Sequence, residues 1–161
     1  MSTTTAIDYR SVRNWVTLAL FIVVVLAVGG LIGTQSTPGA WYEGLTKPPF
    51  NPPNWVFGPV WSTLYVMIAV AGWRIWMLAP NSAAMKVWFA QMLFNWIWSP
   101  VWFLGQMLWP AFAIIMVILA LIIAFIVLAR TRDTIAAWLF FPYAAWVAFA
   151  SALNLSIAIL N

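Results

Sequence analysis

Long apolar stretches separated by a few charged residues are the main pattern of this chain. A membrane helix needs about 20 mostly apolar residues to cross about 30 Å of hydrocarbon. Measured against that length, the stretches predict an all-α membrane protein, a bundle of five transmembrane helices. The approximate spans are 15–33, 55–77, 84–104, 109–129 and 135–159.

The third uncharged stretch, Val87 to Ala129, has to contain a turn. As one helix it would be about 65 Å long, which is twice the thickness of the bilayer core. The segment from Gly105 to Pro110 holds the turn-forming residues of this stretch. It therefore separates the third predicted span from the fourth.

The polar segment 1–14 is expected to be disordered, and residues 15–161 are expected to form a single transmembrane domain. Arg10 and Arg13 precede the first apolar stretch, as they would in a signal peptide. The stretch is longer than the 7–15 apolar residues of a signal peptide. We therefore interpret it as a retained membrane helix.

A long loop, Thr34 to Asn54, joins the first two predicted spans and is rich in proline and aromatic residues. Prolines at positions 48, 49, 52 and 53 fix the backbone and exclude a helix there. Two interpretations remain open. The loop is either a stiff connector with aromatic rings at the membrane interface, or a lid over a pocket.

The composition excludes several functional classes. The chain is 65% hydrophobic and 6% charged, whereas soluble domains are about 25% charged. It contains no histidine and no cysteine, so disulfides, zinc sites, thiolate nucleophiles and histidine catalysis are excluded. The net charge of +4 is too dispersed for a nucleic-acid partner. No metal and no obligatory cofactor are expected.

The basic residues are unevenly divided between the two sides of the predicted bundle. One side carries only Lys47. The side of the N-terminus carries the other six: Arg10, Arg13, Arg74, Lys86, Arg130 and Arg132. Because positive residues mark the cytoplasmic side, we expect the N-terminus to be cytoplasmic; the type of membrane stays open.

Amides and aromatic rings share one face of the third predicted span. Gln91, Asn95, Trp98 and Trp102 follow helical spacing. Amides inside a membrane are costly unless they are paired. They either join neighbouring helices or line a cavity.

Similar stripes occur on two other predicted spans. Tyr143, Trp146 and Ala150 lie close together on the fifth, and Trp61 and Tyr65 are one turn apart on the second. Together these faces suit a flat, hydrophobic ligand with few polar groups, because aromatic rings stack on such ligands.

These residues occur in motifs that resemble one known family, the tryptophan-rich sensory protein and translocator protein family, also known as the peripheral-type benzodiazepine receptor family. The first motifs are Trp41-Tyr42-x-x-Leu45-x-Lys47-Pro48, Pro52-Pro53, Val56-Phe57, Trp61 and Leu64-Tyr65. The later ones are Gln91, Asn95, Trp98, Pro100, Pro142-Tyr143-x-x-Trp146, Ala150, Leu153-Asn154 and Leu160-Asn161. The resemblance covers about residues 29–161.

The resemblance implies a five-helix membrane bundle, often a homodimer in bacteria. It also implies a sensory protein that binds tetrapyrroles such as protoporphyrin IX and haem in a pocket between the helices, under the first loop. The residues that correspond to the family's pocket are Tyr42, Pro52, Trp61, Tyr65, Asn95, Trp98, Trp146 and Ala150.

Two alternatives to a binding protein remain open. One is an enzyme that degrades porphyrin in light, for which the oxidisable side chains would be Trp61 and Trp146. The other is a transporter of porphyrins or lipids. The sterol motif of animal members is missing from residues 153–161, and the absent histidine and cysteine deprive haem iron of its usual axial ligands. We therefore expect metal-free porphyrin to bind at least as well as haem.

Overall fold

The fold is all-α, as predicted. The structure, a computed structural model, describes residues 7–8, 10–36 and 38–161, and within these ranges it contains no β-strand. The helices are α1 (Val12–Gln35), α2 (Ala40–Gly44), the 3₁₀ turn η1 (Asn54–Val56), α3 (Phe57–Leu78), α4 (Ala83–Phe103), α5 (Leu108–Ala129), α6 (Thr134–Leu139) and α7 (Phe141–Leu160).

Four segments of the described chain are long and apolar enough to cross a membrane: α1, Asn54–Leu78, α5 and Thr134–Leu160. Helix α4 has a comparable length of 21 residues. Its amides Gln91 and Asn95 lower its mean hydropathy, and both are buried inside the protein. The fifth crossing therefore stays a prediction.

Most helix ends lie close to the predicted positions, and α5 begins one residue before the predicted span. Helix α1 begins at Val12, so residues 12–14 are helical and do not belong to the predicted disordered segment. Residues 1–6 and 9, which also fall in that segment, lie outside the described residues.

The fifth predicted span, 135–159, agrees with the apolar segment Thr134–Leu160, in which Phe140 separates α6 from α7. Pro142 causes the break, because it has no N–H to donate to the carbonyl of Trp138 and its ring crowds that oxygen. The first loop contains the short helix α2, which was not predicted, whereas its proline-rich part is non-helical as expected.

The long helices form a closed ring. Helix α1 packs against α3 and α4, α4 packs against α5, and α5 packs against α7. The segment α6–α7 closes the ring by packing on α3. Large buried side chains such as Ile68, Ile122, Phe125 and Phe140 fill the contacts between α3, α5 and α7.

Gly72 allows α3 and α4 to approach closely. A Cβ atom at this position would overlap the indole of Trp88. The Trp88 indole N–H instead donates a hydrogen bond to the Ile68 carbonyl at 2.9 Å. The glycine and the tryptophan together fix the spacing of these two helices.

A buried ion pair joins α3 to the start of α6. The Arg74 guanidinium Nε donates to the Asp133 carboxylate at 2.8 Å, and both side chains are largely buried. The other oxygen of Asp133 accepts the backbone N–H of Ala136 at 3.0 Å and so caps α6. One carboxylate therefore stabilises both a helix start and a helix contact.

Replacement of this carboxylate is expected to destabilise the protein. Asp133→Ala removes the cap and the ion pair, so the free energy of unfolding should fall by more than about 1 kcal/mol. Asp133→Asn keeps a capping oxygen, so its free energy of unfolding should fall less than that of Asp133→Ala. Thermal unfolding of the detergent-solubilised protein measures both changes. An unchanged midpoint for Asp133→Ala would contradict the assigned role.

Candidate functional site

A cavity of about 490 Å³ lies between α1, α3, α4 and α7, next to the segment that contains α2. Ligand pockets in proteins commonly enclose about 300–1,000 Å³. Of the residues described for α5, none lines the cavity. The cavity therefore occupies one side of the helical ring.

Seven of the eight residues expected in the pocket line this cavity. They are Tyr42, Trp61, Tyr65, Asn95, Trp98, Trp146 and Ala150. Pro52 does not line it; its carbonyl accepts a hydrogen bond from the side-chain amide of Asn51 at 3.0 Å. Pro38, closer to the end of α1, contributes to the wall instead. Ligand binding by the seven residues stays a prediction.

A chain of hydrogen bonds connects three helices beside the cavity. The Tyr65 hydroxyl donates to Asn95 Oδ1 at 2.9 Å, and Asn95 Nδ2 donates to the Tyr143 hydroxyl oxygen at 2.9 Å. The Tyr143 hydroxyl in turn donates to Gln91 Oε1 at 3.1 Å. Both interpretations of the α4 amides are therefore correct: Asn95 lines the cavity, whereas the buried Gln91 joins helices behind it.

Aromatic rings hold one another in place along the wall. Trp61 packs against Tyr65 and Tyr143, with ring centroids 5.4 and 6.2 Å apart. Trp98 stacks on Trp102 with an interplanar angle of 17°. The Trp98 indole N–H donates to Asn154 Oδ1 at 3.3 Å. These contacts produce a stiff wall, because each large ring is fixed by a second ring or by a hydrogen bond.

The cavity is polar at a few points and carries no charge. Among the described residues that line it, none is acidic or basic. Ser36 Oγ and the indole nitrogen of Trp146 are buried there without a hydrogen-bond partner in the part of the chain that the structure describes. Because buried donors are nearly always paired, these two atoms are available for a ligand.

The sequence prediction missed the wall formed by α1. It consists of small and aliphatic residues of α1 together with Ser36, which follows the helix: Leu26, Gly29, Gly30, Ile32, Gly33, Thr34 and Ser36. The spacing of Gly29, Gly30 and Gly33 within an apolar span was a usable signal, because glycines in membrane helices mark close approach.

The segment after α1 folds over the cavity and is held by its own contacts. The side chain of Tyr42 is 5% exposed, and its hydroxyl donates to Asn51 Oδ1 at 3.3 Å. Burial raises the pKa of the Tyr42 phenol, which further favours the neutral form that donates this hydrogen bond. Lys47 Nζ lies 4.7 Å from the centroid of the Tyr42 ring. Because Pro38 and Tyr42 line the cavity, this segment forms part of its wall.

Asn161, directly after α7, fastens this segment to the bundle. Its Oδ1 accepts the Thr46 backbone N–H at 2.9 Å, and its Nδ2 donates to the Thr46 carbonyl at 3.0 Å. The same Nδ2 also donates to the Ile157 carbonyl. We call the two bonds between Thr46 and Asn161 the latch.

Comparison with known proteins gives consistent matches. The profile of the TspO/MBR family matches residues 18–160. Protein CrtK of Rhodobacter capsulatus is 35% identical over 150 residues, covering 89% of this chain and 94% of that protein. The tryptophan-rich sensory protein of Cereibacter sphaeroides is 35% identical, and the match covers 89% of this chain and 92% of that protein. The human translocator protein is 30% identical, with 80% of each chain covered.

The contact between α1 and α3 can be tested with two neighbouring glycines. A Cβ at Gly29 would overlap the Tyr65 ring, whereas a Cβ at Gly30 meets no atom within 4 Å. Gly29→Ala should lower the free energy of unfolding by about 1–3 kcal/mol. Gly30→Ala should be neutral or slightly stabilising, because alanine favours a helix. Thermal unfolding compares the two variants, and equal midpoints would show that the contact is not tight.

The latch can be tested by hydrogen–deuterium exchange. Asn161→Ala removes both bonds to Thr46, so amides in residues 40–50 should exchange about ten-fold faster. Asn161→Asp keeps an acceptor for the Thr46 N–H and should have a smaller effect. Exchange within α5 serves as the internal control. Unchanged exchange in residues 40–50 would mean that other contacts hold the segment.

Proposed function

The chain belongs to the TspO/MBR family of membrane sensory and translocator proteins, and on that basis we propose that it binds tetrapyrroles such as protoporphyrin IX in the cavity described above. The observation that carries this proposal is the aromatic, uncharged wall of the cavity. Four tryptophans contribute to it: Trp61, Trp98, Trp102 and Trp146. Ring stacking contributes about 0.5–1.5 kcal/mol per aromatic pair beyond the burial of area.

The cavity suits the macrocycle better than it suits iron. The sequence has no histidine and no cysteine. The tyrosine hydroxyls on the wall, those of Tyr42 and Tyr65, donate hydrogen bonds to Asn51 and Asn95. An axial ligand for haem would have to break one of these bonds, since tyrosine binds iron through its oxygen. Stacking and burial therefore account for most of the proposed affinity.

The proposed topology has five crossings, with α4 as the fifth. Helix α4 is long enough to cross, and its buried amides bond to other helices rather than to lipid. Lys47 lies on one side of this topology and the six other basic residues on the opposite side. The positive-inside rule then places the N-terminus in the cytoplasm. The same proposal includes the assembly of two copies of this chain into a homodimer.

The experiment is a titration of the detergent-solubilised protein with protoporphyrin IX in the dark, followed by tryptophan quenching and porphyrin absorption. Trp61→Ala, Asn95→Ala and Trp146→Ala should each weaken binding by ten-fold or more, about 1.4 kcal/mol. Trp109→Ala is the matched control, because Trp109 is exposed on α5, outside the cavity. Each variant is first checked for intact folding.

The possible outcomes separate the parts of this proposal. If binding is saturable and Trp109→Ala weakens it as much as the three wall variants do, the binding site is not this cavity. The absence of saturable binding would reject tetrapyrroles as the ligand. A clear preference for haem over the metal-free porphyrin would mean that iron is ligated, contrary to the geometry of the tyrosine hydroxyls.

A further inference from the structure

A buried hydroxyl without a partner lies on the cavity wall at the end of α1. Ser36 follows the last residue of α1, is 5% exposed and lines the cavity. Its Oγ has no hydrogen-bond partner within the described part of the chain. Leaving a buried hydroxyl unpaired is unfavourable, so its position calls for an explanation.

Two other hydroxyls on the same wall are already paired. Ser62 Oγ donates to the Gly58 carbonyl at 2.9 Å, and Thr34 Oγ1 donates to the Leu31 carbonyl at 2.8 Å. Both use a carbonyl of their own helix, which is the usual partner of a helical serine or threonine. Ser36 has left the helix, so its hydroxyl is free to point elsewhere.

Among the described residues that line the cavity, a second buried donor without a partner is the indole N–H of Trp146. The Trp146 ring packs against Phe57 and Phe149, with centroids 5.8 and 5.6 Å away. That part of the wall suits an apolar part of a ligand. Ser36 lies at the end of α1 that leads into the Tyr42 segment, where Lys47 Nζ is 4.7 Å from the centroid of the Tyr42 ring. The positive charge of Lys47 favours an anionic group of a ligand beside Ser36.

We propose that the Ser36 hydroxyl donates a hydrogen bond to a carboxyl oxygen of the bound ligand. A tetrapyrrole then lies with its carboxyl-bearing edge towards Ser36 at the end of α1. This inference rests on the proposed tetrapyrrole binding and adds the orientation of the ligand and the residue that selects for a carboxyl group.

The test compares two porphyrins that differ in their carboxyl groups. Protoporphyrin IX carries carboxyl groups, and etioporphyrin carries alkyl groups in their place. Ser36→Ala should weaken binding of protoporphyrin IX between about three-fold and ten-fold, as expected for one lost hydrogen bond, and should leave etioporphyrin binding unchanged. Ser36→Thr keeps a hydroxyl and should recover part of the difference.

Ser151→Ala is the matched control, because it removes a buried hydroxyl that is already paired, with the Val147 carbonyl, and that does not line the cavity. This variant should change the binding affinity for neither porphyrin. Circular dichroism and thermal unfolding should show that Ser36→Ala folds normally, since the lost hydroxyl has no partner in the protein.

The readouts distinguish failure of this inference from failure of the proposed function. If the unaltered protein binds both porphyrins and Ser36→Ala changes neither affinity, or changes both equally, the carboxyl contact is wrong and tetrapyrrole binding stands. If the unaltered protein binds neither porphyrin, the proposed function and this inference are both wrong.

Discussion

The hydrogen bonds from Tyr65 through Asn95 and Tyr143 to Gln91 hold α3, α4 and α7 in a fixed arrangement. In a bilayer no water is present to satisfy an amide, so each of these groups depends on the others. Trp61 then packs on both tyrosines, and the cavity wall takes its shape from that contact. Gly29 completes the arrangement, since it lets α1 reach the Tyr65 ring. The site thus depends on polar bonds inside an otherwise apolar bundle.

The sequence predicted the long helices well, because charges and apolar length largely decide where membrane helices end. The end of α5 at Ala129 followed directly from Arg130. The sequence could not distinguish a kink from the interruption at Phe140, because Pro142 within an apolar stretch allows either a kink or a new helix start. Helix α2 was missed because five residues rich in aromatic side chains show no helical period.

The sequence predicted those parts of the cavity wall that consist of large or polar side chains. Amides and tryptophans at helical spacing identified the walls on α3, α4 and α7. The wall on α1 carries little such signal, because Gly30 and Gly33 contribute backbone rather than side chains. Ser36 resembled an ordinary polar residue at a helix end, and only its burial without a partner distinguishes it. Pro52 lies in a loop whose path depends on contacts distant in sequence, so its part in the site stays a prediction.

The latch joins the Tyr42 segment to α7, a helix that also contributes to the cavity wall. Trp146 and Ala150 of the cavity wall belong to α7, and Asn161 directly follows that helix. If the closed segment tightens ligand binding by some factor, thermodynamic reciprocity requires the ligand to favour the closed segment by the same factor. The fraction of time for which Thr46 and Asn161 stay bonded, outside the bundle, would then report how much of the cavity is occupied.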